Sequence, residues 1–118
     1  MPAPSPLSIA TSSVLRLVKE EGSYHKELEQ QEARLQRFQN GGSAEDENAE
    51  YQLKQEKRAI DETKAIFPQL RKRIEDGVGK LEQQLEAEQS AGSDSNVEEI
   101  TKGKQAIADA KAALREIS

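Results

Sequence analysis

The sequence predicts an all-α protein: an elongated antiparallel three-helix bundle, up-down-up and coiled-coil-like with left-handed crossing, whose central helix is kinked at a proline. Three observations lead there. Apolar residues recur at three- and four-residue steps through three long segments, the stripe of an amphipathic helix. The composition is that of long helices rather than of a large globular core, with 33% charged residues, 3% aromatic residues and no Trp. Two short connections rich in Gly, Ser and Asn separate the segments, and short connections make successive helices antiparallel.

In chain order, Met1 to Pro6 is rich in Pro, Ala and Ser and is expected to be a mobile arm. Residues 7–118 form a single domain, with helices at about 7–39, 46–89 and 95–117. The first stripe is Leu7, Ala10, Val14, Leu17, Glu21, Tyr24, Leu28, Gln31, Leu35 and Phe38. Only Glu21 and Gln31 interrupt its apolar character. Thr11, Ser12 and Ser13 are weak helix formers. Asn40-Gly41-Gly42 ends the helix, glycine being the residue that accepts a left-handed C-terminal cap.

Ser43 to Asn48 offers capping side chains and negative charge for the start of the central helix. Its stripe runs Leu53, Ile60, Thr63, Phe67, Leu70 and Ile74, with Glu56 or Lys57 in the one gap, and continues through Val78, Leu81 and Leu85 after a stutter. Pro68 lies inside it. Proline removes the hydrogen bond to the Lys64 carbonyl and crowds it, at roughly 3 kcal/mol in a straight helix, so a bend is expected there. Gly77 and Gly79 weaken the second half. After Ser90-Ala91-Gly92-Ser93, Ser95-Asn96-Val97-Glu98 reads as a capping box. The third stripe alternates small and large residues: Ile100, Gly103, Ile107, Ala110, Leu114 and Ile117. Opposite charges one turn apart, such as Arg71 and Glu75 or Glu98 and Lys102, lace the outer faces.

Length and charge exclude several functions. At 118 residues there is room for one core and no second domain. The net charge of −5 argues against nucleic acid and anionic membrane as partners. Cysteine is absent, which removes disulfides, thiolate metal sites and thiol nucleophiles. No apolar run approaches a spanning helix or a signal-peptide core, so a soluble, cytoplasmic protein is expected.

Catalysis finds little support. There is one histidine, no Gly-rich phosphate loop after a strand and no Ser/His/Asp set. His25 has Glu21 and Glu29 one turn to either side, which could bind a metal; the plainer reading is a histidine among carboxylates. Glu20-Glu21 and Glu98-Glu99 lack the cleft that would shift their protonation. Arg71-Lys72-Arg73 reads as solvated surface within an alternating face. Expected, then, are no enzyme activity, no cofactor and no metal. Gly22, Tyr24 and Pro68 stand out as residues whose local cost or placement asks for a shape-related reason.

The run Leu17-Val18-Lys19-Glu20-Glu21-Gly22-Ser23-Tyr24-His25-Lys26-Glu27-Leu28, followed by Gln31-Glu32-Ala33, resembles the first-helix signature of the tubulin-binding cofactor A family. So does Lys54-Gln55-Glu56 with Ala59-Ile60-Asp61-Glu62-Thr63-Lys64-Ala65-Ile66-Phe67-Pro68. The resemblance spans about Val14 to Leu85. It implies a three-helix tubulin-folding cofactor that captures β-tubulin released from the cytosolic chaperonin and holds it for assembly with α-tubulin, without ATP. It also implies a cytoskeleton-associated chaperone, with other tubulin-folding cofactors as further partners and a monomer or weak homodimer as its own state. On the matching stretches, Lys19, Glu20, Glu21, Glu27, Glu56, Asp61, Glu62 and Lys64 are the implied β-tubulin contacts, while Gly22, Tyr24 and Pro68 serve shape. Each charged residue also reads as ordinary solvated surface. The competing reading from another class is a structural coiled-coil scaffold or adaptor subunit.

Overall fold

The computed structural model describes residues 3–41, 47–92 and 95–117. Three helices account for nearly all of them: α1 (Pro6–Asn40), α2 (Glu47–Ser90) and α3 (Val97–Ile117), with no strand among the described residues. Gly42 and the acidic stretch to Asp46, expected to lead into α2, lie outside the described residues. No helix among them is long and apolar enough to cross a membrane.

Each helix end has a chemical reason. Pro6 is the first residue of α1, where its missing N–H costs nothing and its fixed φ suits the helix. Ser5 is the cap: its Oγ accepts from the Ser8 N–H at 3.0 Å, and its carbonyl accepts from the Ile9 N–H. Ser5 and Pro6, assigned to the arm by composition, therefore start the helix. At the other end the Gly41 N–H donates to the Arg37 carbonyl, and a Cβ on Gly41 would stand 2.7 Å from that oxygen. The left-handed glycine comes after α2, where Gly92 has φ +67°.

The cap of α3 lies one residue beyond the expected box. Asn96 Oδ1 accepts from the Glu99 N–H at 3.1 Å, while the Ser95 hydroxyl donates to the Gly92 carbonyl at 2.7 Å. Ser95 is engaged in the turn, and the amide oxygen of Asn96 takes over the orphan donor. Glu99 then accepts from the Ser5 hydroxyl, linking the starts of α1 and α3.

The chain divides into two compact units, Met1–Glu21 with Pro68–Ser118, and Gly22–Phe67. In the first, three helix segments pack. Arg73 meets Glu20, a Cβ on Gly77 would meet Val14 and Leu17, and one on Gly103 would meet Leu85 and Thr11. These contacts make α1 and α2 antiparallel, α1 and α3 parallel, and α2 and α3 antiparallel, the expected up-down-up order. The largest fully buried side chains, Leu7, Val14, Leu70, Ile74 and Leu81, all belong to this unit. Burying each one contributes about 1.5–3 kcal/mol. The Arg71 guanidinium donates to the Leu114 carbonyl at 3.1 Å, satisfying an acceptor in the last turn of α3, where α-helical carbonyls have no intrahelical donor.

Here the stripes shift from expectation. On α3 the buried residues are Gly103, Ala106, Ala110 and Ala113, while Ile100, Ile107, Leu114 and Ile117 are only half-buried. Leu85 and Thr11 come so near that only small residues fit beneath them, so the large ones move to the flanks. On α1, Thr11 is buried more deeply than Ala10 because it faces α3.

The second unit contains two helix segments, the latter part of α1 and the first part of α2. Arg34 meets Glu56 and His25 meets Phe67, which makes them antiparallel. Two helices cover only one side of a seam. Ile60, Thr63, Phe67 and Gln31 are buried, but Leu28, Leu35, Phe38 and Leu53 of the predicted stripe remain half-exposed. The buried Thr63 hydroxyl donates to the Ala59 carbonyl at 3.0 Å, which lets a polar residue sit in the seam.

Two substitutions read this packing directly. A Cβ on Gly79 would touch nothing within 4 Å, so Gly79→Ala should stabilise the protein by about 1 kcal/mol through helix propensity. Gly103→Val, whose Cβ would stand 3.0 Å from Leu85 Cδ2, should cost about 1–3 kcal/mol. Urea melts of both variants test the pair. Asn96→Ala should cost about 1 kcal/mol by losing the α3 cap, whereas Ser95→Ala should cost less if Asn96 is the cap.

Candidate partner-binding surface

The structure distributes the sequence-predicted contact residues over both units. Lys19, Glu20 and Glu21 belong to the first; Glu27, Glu56, Asp61, Glu62 and Lys64 belong to the second. Lys19, Glu27, Asp61, Glu62 and Lys64 are exposed. Glu20 is half-exposed and pairs with Arg73 at 3.3 Å; Glu56 pairs with Arg34 at 3.3 Å, with its side chain 17% exposed. Such pairs at the surface contribute at most about 1 kcal/mol each. Their effect is to orient two carboxylates along the helix junctions rather than leave them free for a partner.

Glu21 is different. It is 5% exposed, a side chain of the core and not of the surface, so it cannot meet a partner without the helices separating. The sequence presents it both as a break in the apolar stripe and, by resemblance, as a contact; its burial fits the first role and leaves little surface for the second. Glu56, offered with Lys57 for the gap in the α2 stripe, is the inward one of the two; Lys57 is exposed.

On α2 the exposed candidates do not share one face. Asp61 and Lys64 are three residues apart and lie on one flank, whereas Glu62 is turned by about 100° from Asp61. The residues given to shape fall as follows. Gly22 is exposed with open space around it, Tyr24 is half-buried, and Pro68 is exposed within α2. The two units divide at Glu21/Gly22 and Phe67/Pro68, so two of those three residues mark the boundary.

The ring of His25 lies on Phe67, with centroids 4.5 Å apart and planes 32° from parallel. The imidazole thus packs against the seam of the second unit. Among the described residues no three His, Cys, Asp or Glu side chains are grouped to hold a metal ion. Two of the three residues in the Arg71-Lys72-Arg73 run are engaged, Arg71 with Glu75 and the Leu114 carbonyl and Arg73 with Glu20.

Periodicity did not reveal the inter-helix pairs, because it carries no information about which flanks face each other. It also missed the exposed apolar side chains. Ile9, Leu15, Tyr51 and Val97 stand on the surface, off the stripes. Two open grooves run along helix junctions, and a shallow depression lies on the last turns of α1. One of about 740 Å³ lies between the first part of α1 and the second part of α2, and one of about 560 Å³ between α1 and α3.

The family model for tubulin binding cofactor A matches residues 2–107 of the chain. The tubulin-specific chaperone A of Saccharomyces cerevisiae is 32% identical over 109 residues, covering 92% of this chain and 99% of that protein. The tubulin-folding cofactor A of Arabidopsis thaliana is 32% identical over 103 residues, covering 87% of this chain and 86% of its own. Rabbit (Oryctolagus cuniculus) tubulin-specific chaperone A is 34% identical over 82 residues, or 70% of this chain and 71% of that one. The crystal structure of the Arabidopsis thaliana cofactor superposes with a TM-score of 0.75 and covers 90% of this chain and 92% of that chain.

One buried polar group allows a direct test of how the second unit is held. Gln31 is 9% exposed and its Oε1 accepts no hydrogen bond among the described residues. Gln31→Leu keeps the volume and removes the desolvated amide, so it should stabilise the protein by about 1 kcal/mol. Thermal melts of wild type and variant measure it.

Proposed function

The chain belongs to the tubulin binding cofactor A family, and on that premise we propose that it captures β-tubulin and holds it for assembly into the αβ heterodimer. Its client would be the chain released from the cytosolic chaperonin, and the act would be binding without ATP, cofactor or covalent chemistry. The observation that carries the reading is the family match over residues 2–107, on a molecule whose described concavities are open to solvent. Such a surface recognises a protein by complementarity of shape and charge.

Within this reading the contact set is revised by burial. Lys19, Glu27, Asp61, Glu62 and Lys64 are available; Glu20 and Glu56 take part only with their Arg73 and Arg34 partners; Glu21 is excluded. Exposed charges at a rim govern encounter rate and specificity more than affinity, which suits a protein that must release its client. The bend expected at Pro68 belongs to the same proposal: it would give α2 a curved face. Cytoplasmic placement beside the other tubulin-folding cofactors follows from the client.

The test is retention of purified β-tubulin on gel filtration, with α-tubulin as the control and no nucleotide present. Selective co-elution of β-tubulin is expected. Asp61→Lys/Glu62→Lys should weaken retention by roughly 3- to 10-fold, mainly through a slower on-rate, with helicity and melting unchanged. Equal retention of α- and β-tubulin, or a strict need for ATP, would count against the reading.

A further inference from the structure

We infer that the groove between the first part of α1 and the second part of α2 is the seat of an acidic amphipathic helix of the client protein. This rests on the reading that the chain holds a tubulin subunit, and it names the chemistry of the segment held. The groove lies wholly within the first unit and measures about 740 Å³. Its apolar surface comes from Ile9, which is 56% exposed, with the half-buried Ala10 and Leu17 beside it. An isoleucine that open has apolar area to cover, and the described residues of its own unit leave more than half of it in water.

The rim carries the charge argument. Arg16, Arg73 and Lys80 line it with Asp76, and Glu20 pairs with Arg73 at 3.3 Å, so three cations stand against two carboxylates. The chain as a whole has 22 acidic and 17 basic residues, so this groove inverts the sign of the molecule. Cations flanking an apolar strip match a helix with an apolar stripe and Asp or Glu beside it. They fit nucleic acid less well, because Ile9 offers phosphate nothing.

Length agrees with a helix. The walls run from Pro6 to Leu17 on α1 and from Arg73 to Gln84 on α2, which at ~1.5 Å per residue is about 17 Å, or three helical turns. The strip is shallow because Gly77 lets the two helices close up: a Cβ there would already touch Val14 and Leu17 at 3.4 Å. A second copy of the chain is a poor occupant by symmetry. A two-fold pairing through this groove would set Arg16, Arg73 and Lys80 of one copy against the same residues of the other.

The experiment titrates purified β-tubulin against wild type, Arg16→Glu/Arg73→Glu/Lys80→Glu, the matching Gln triple, Ile9→Ser, and a control triple, Lys102→Glu/Lys104→Glu/Lys111→Glu, on α3. All three control residues are exposed. The groove Glu triple should weaken binding by at least about tenfold and flatten its salt dependence, and the Gln triple and Ile9→Ser by roughly threefold or more. The control triple, equal in charge change, should stay within about threefold of wild type. If the Glu triple unfolds, because Glu20 then faces a like charge, the Gln triple and Ile9→Ser decide. Wild-type binding in the groove variants, or equal loss in the control, overturns the inference while leaving β-tubulin capture standing. So does a wild-type dimer in sedimentation that the Glu triple dissociates, since the occupant is then a second copy. Failure of wild type itself to hold β-tubulin overturns the functional reading and takes this occupant with it.

Discussion

The close approach of α3 to Leu85 and Thr11 is the constraint on which the first unit depends. Gly103, Ala106, Ala110 and Ala113 present almost no side chain toward the centre, so the helices meet nearly backbone to side chain. Dispersion contacts are individually small, about 0.1–0.2 kcal/mol each, and count only when many are made at short range. A thin helix with four small residues on its buried face therefore contributes by nearness rather than by bulk. Large side chains such as Leu85, which it meets, supply the area taken from water. That division of labour explains how a chain with 3% aromatic residues can still bury several side chains completely.

The second unit works under a different limit. With two helix segments, its seam can be closed on one side only, and its apolar residues are mostly half-covered. The polar members fare unequally. Thr63 finds a backbone carbonyl, while the Gln31 amide oxygen finds no donor among the described residues. A seam of this kind is held by modest terms, the Arg34–Glu56 pair and the His25–Phe67 stack among them. Regions with few fully buried apolar groups open more readily than regions with many.

Much of this was legible in the residues. The three helices fall within two residues of the ranges that periodicity gives, because Gly, Pro, Asn and Ser at the ends act locally. Glu21 and Gln31 were visible as polar members of an apolar stripe, and both are buried. Legibility failed where the outcome depends on a neighbour. A stripe cannot tell whether Ala106 or Ile107 points at the centre, since that depends on how near Leu85 comes. Nor can it show that Ser95 is consumed by the Gly92 carbonyl, leaving the cap to Asn96. The contact set suffered most: adjacent Glu20 and Glu21 look alike in a sequence, yet one pairs with Arg73 at the surface and the other is core. Gly22 and Pro68 read in the sequence as local costs with a role in shape, and the boundary between the units falls beside both.

The first unit is assembled from the two ends of the chain, residues 1–21 and 68–118, with the second unit inserted between them. During synthesis Leu7 and Val14 emerge long before Leu70, Leu81 or the alanines of α3 exist to receive them. The 22–67 hairpin, whose contacts are local, can close while the amino-terminal segment still waits without a mate. Completion of the better-packed unit is therefore deferred until α3 has been made, well after the second unit can close.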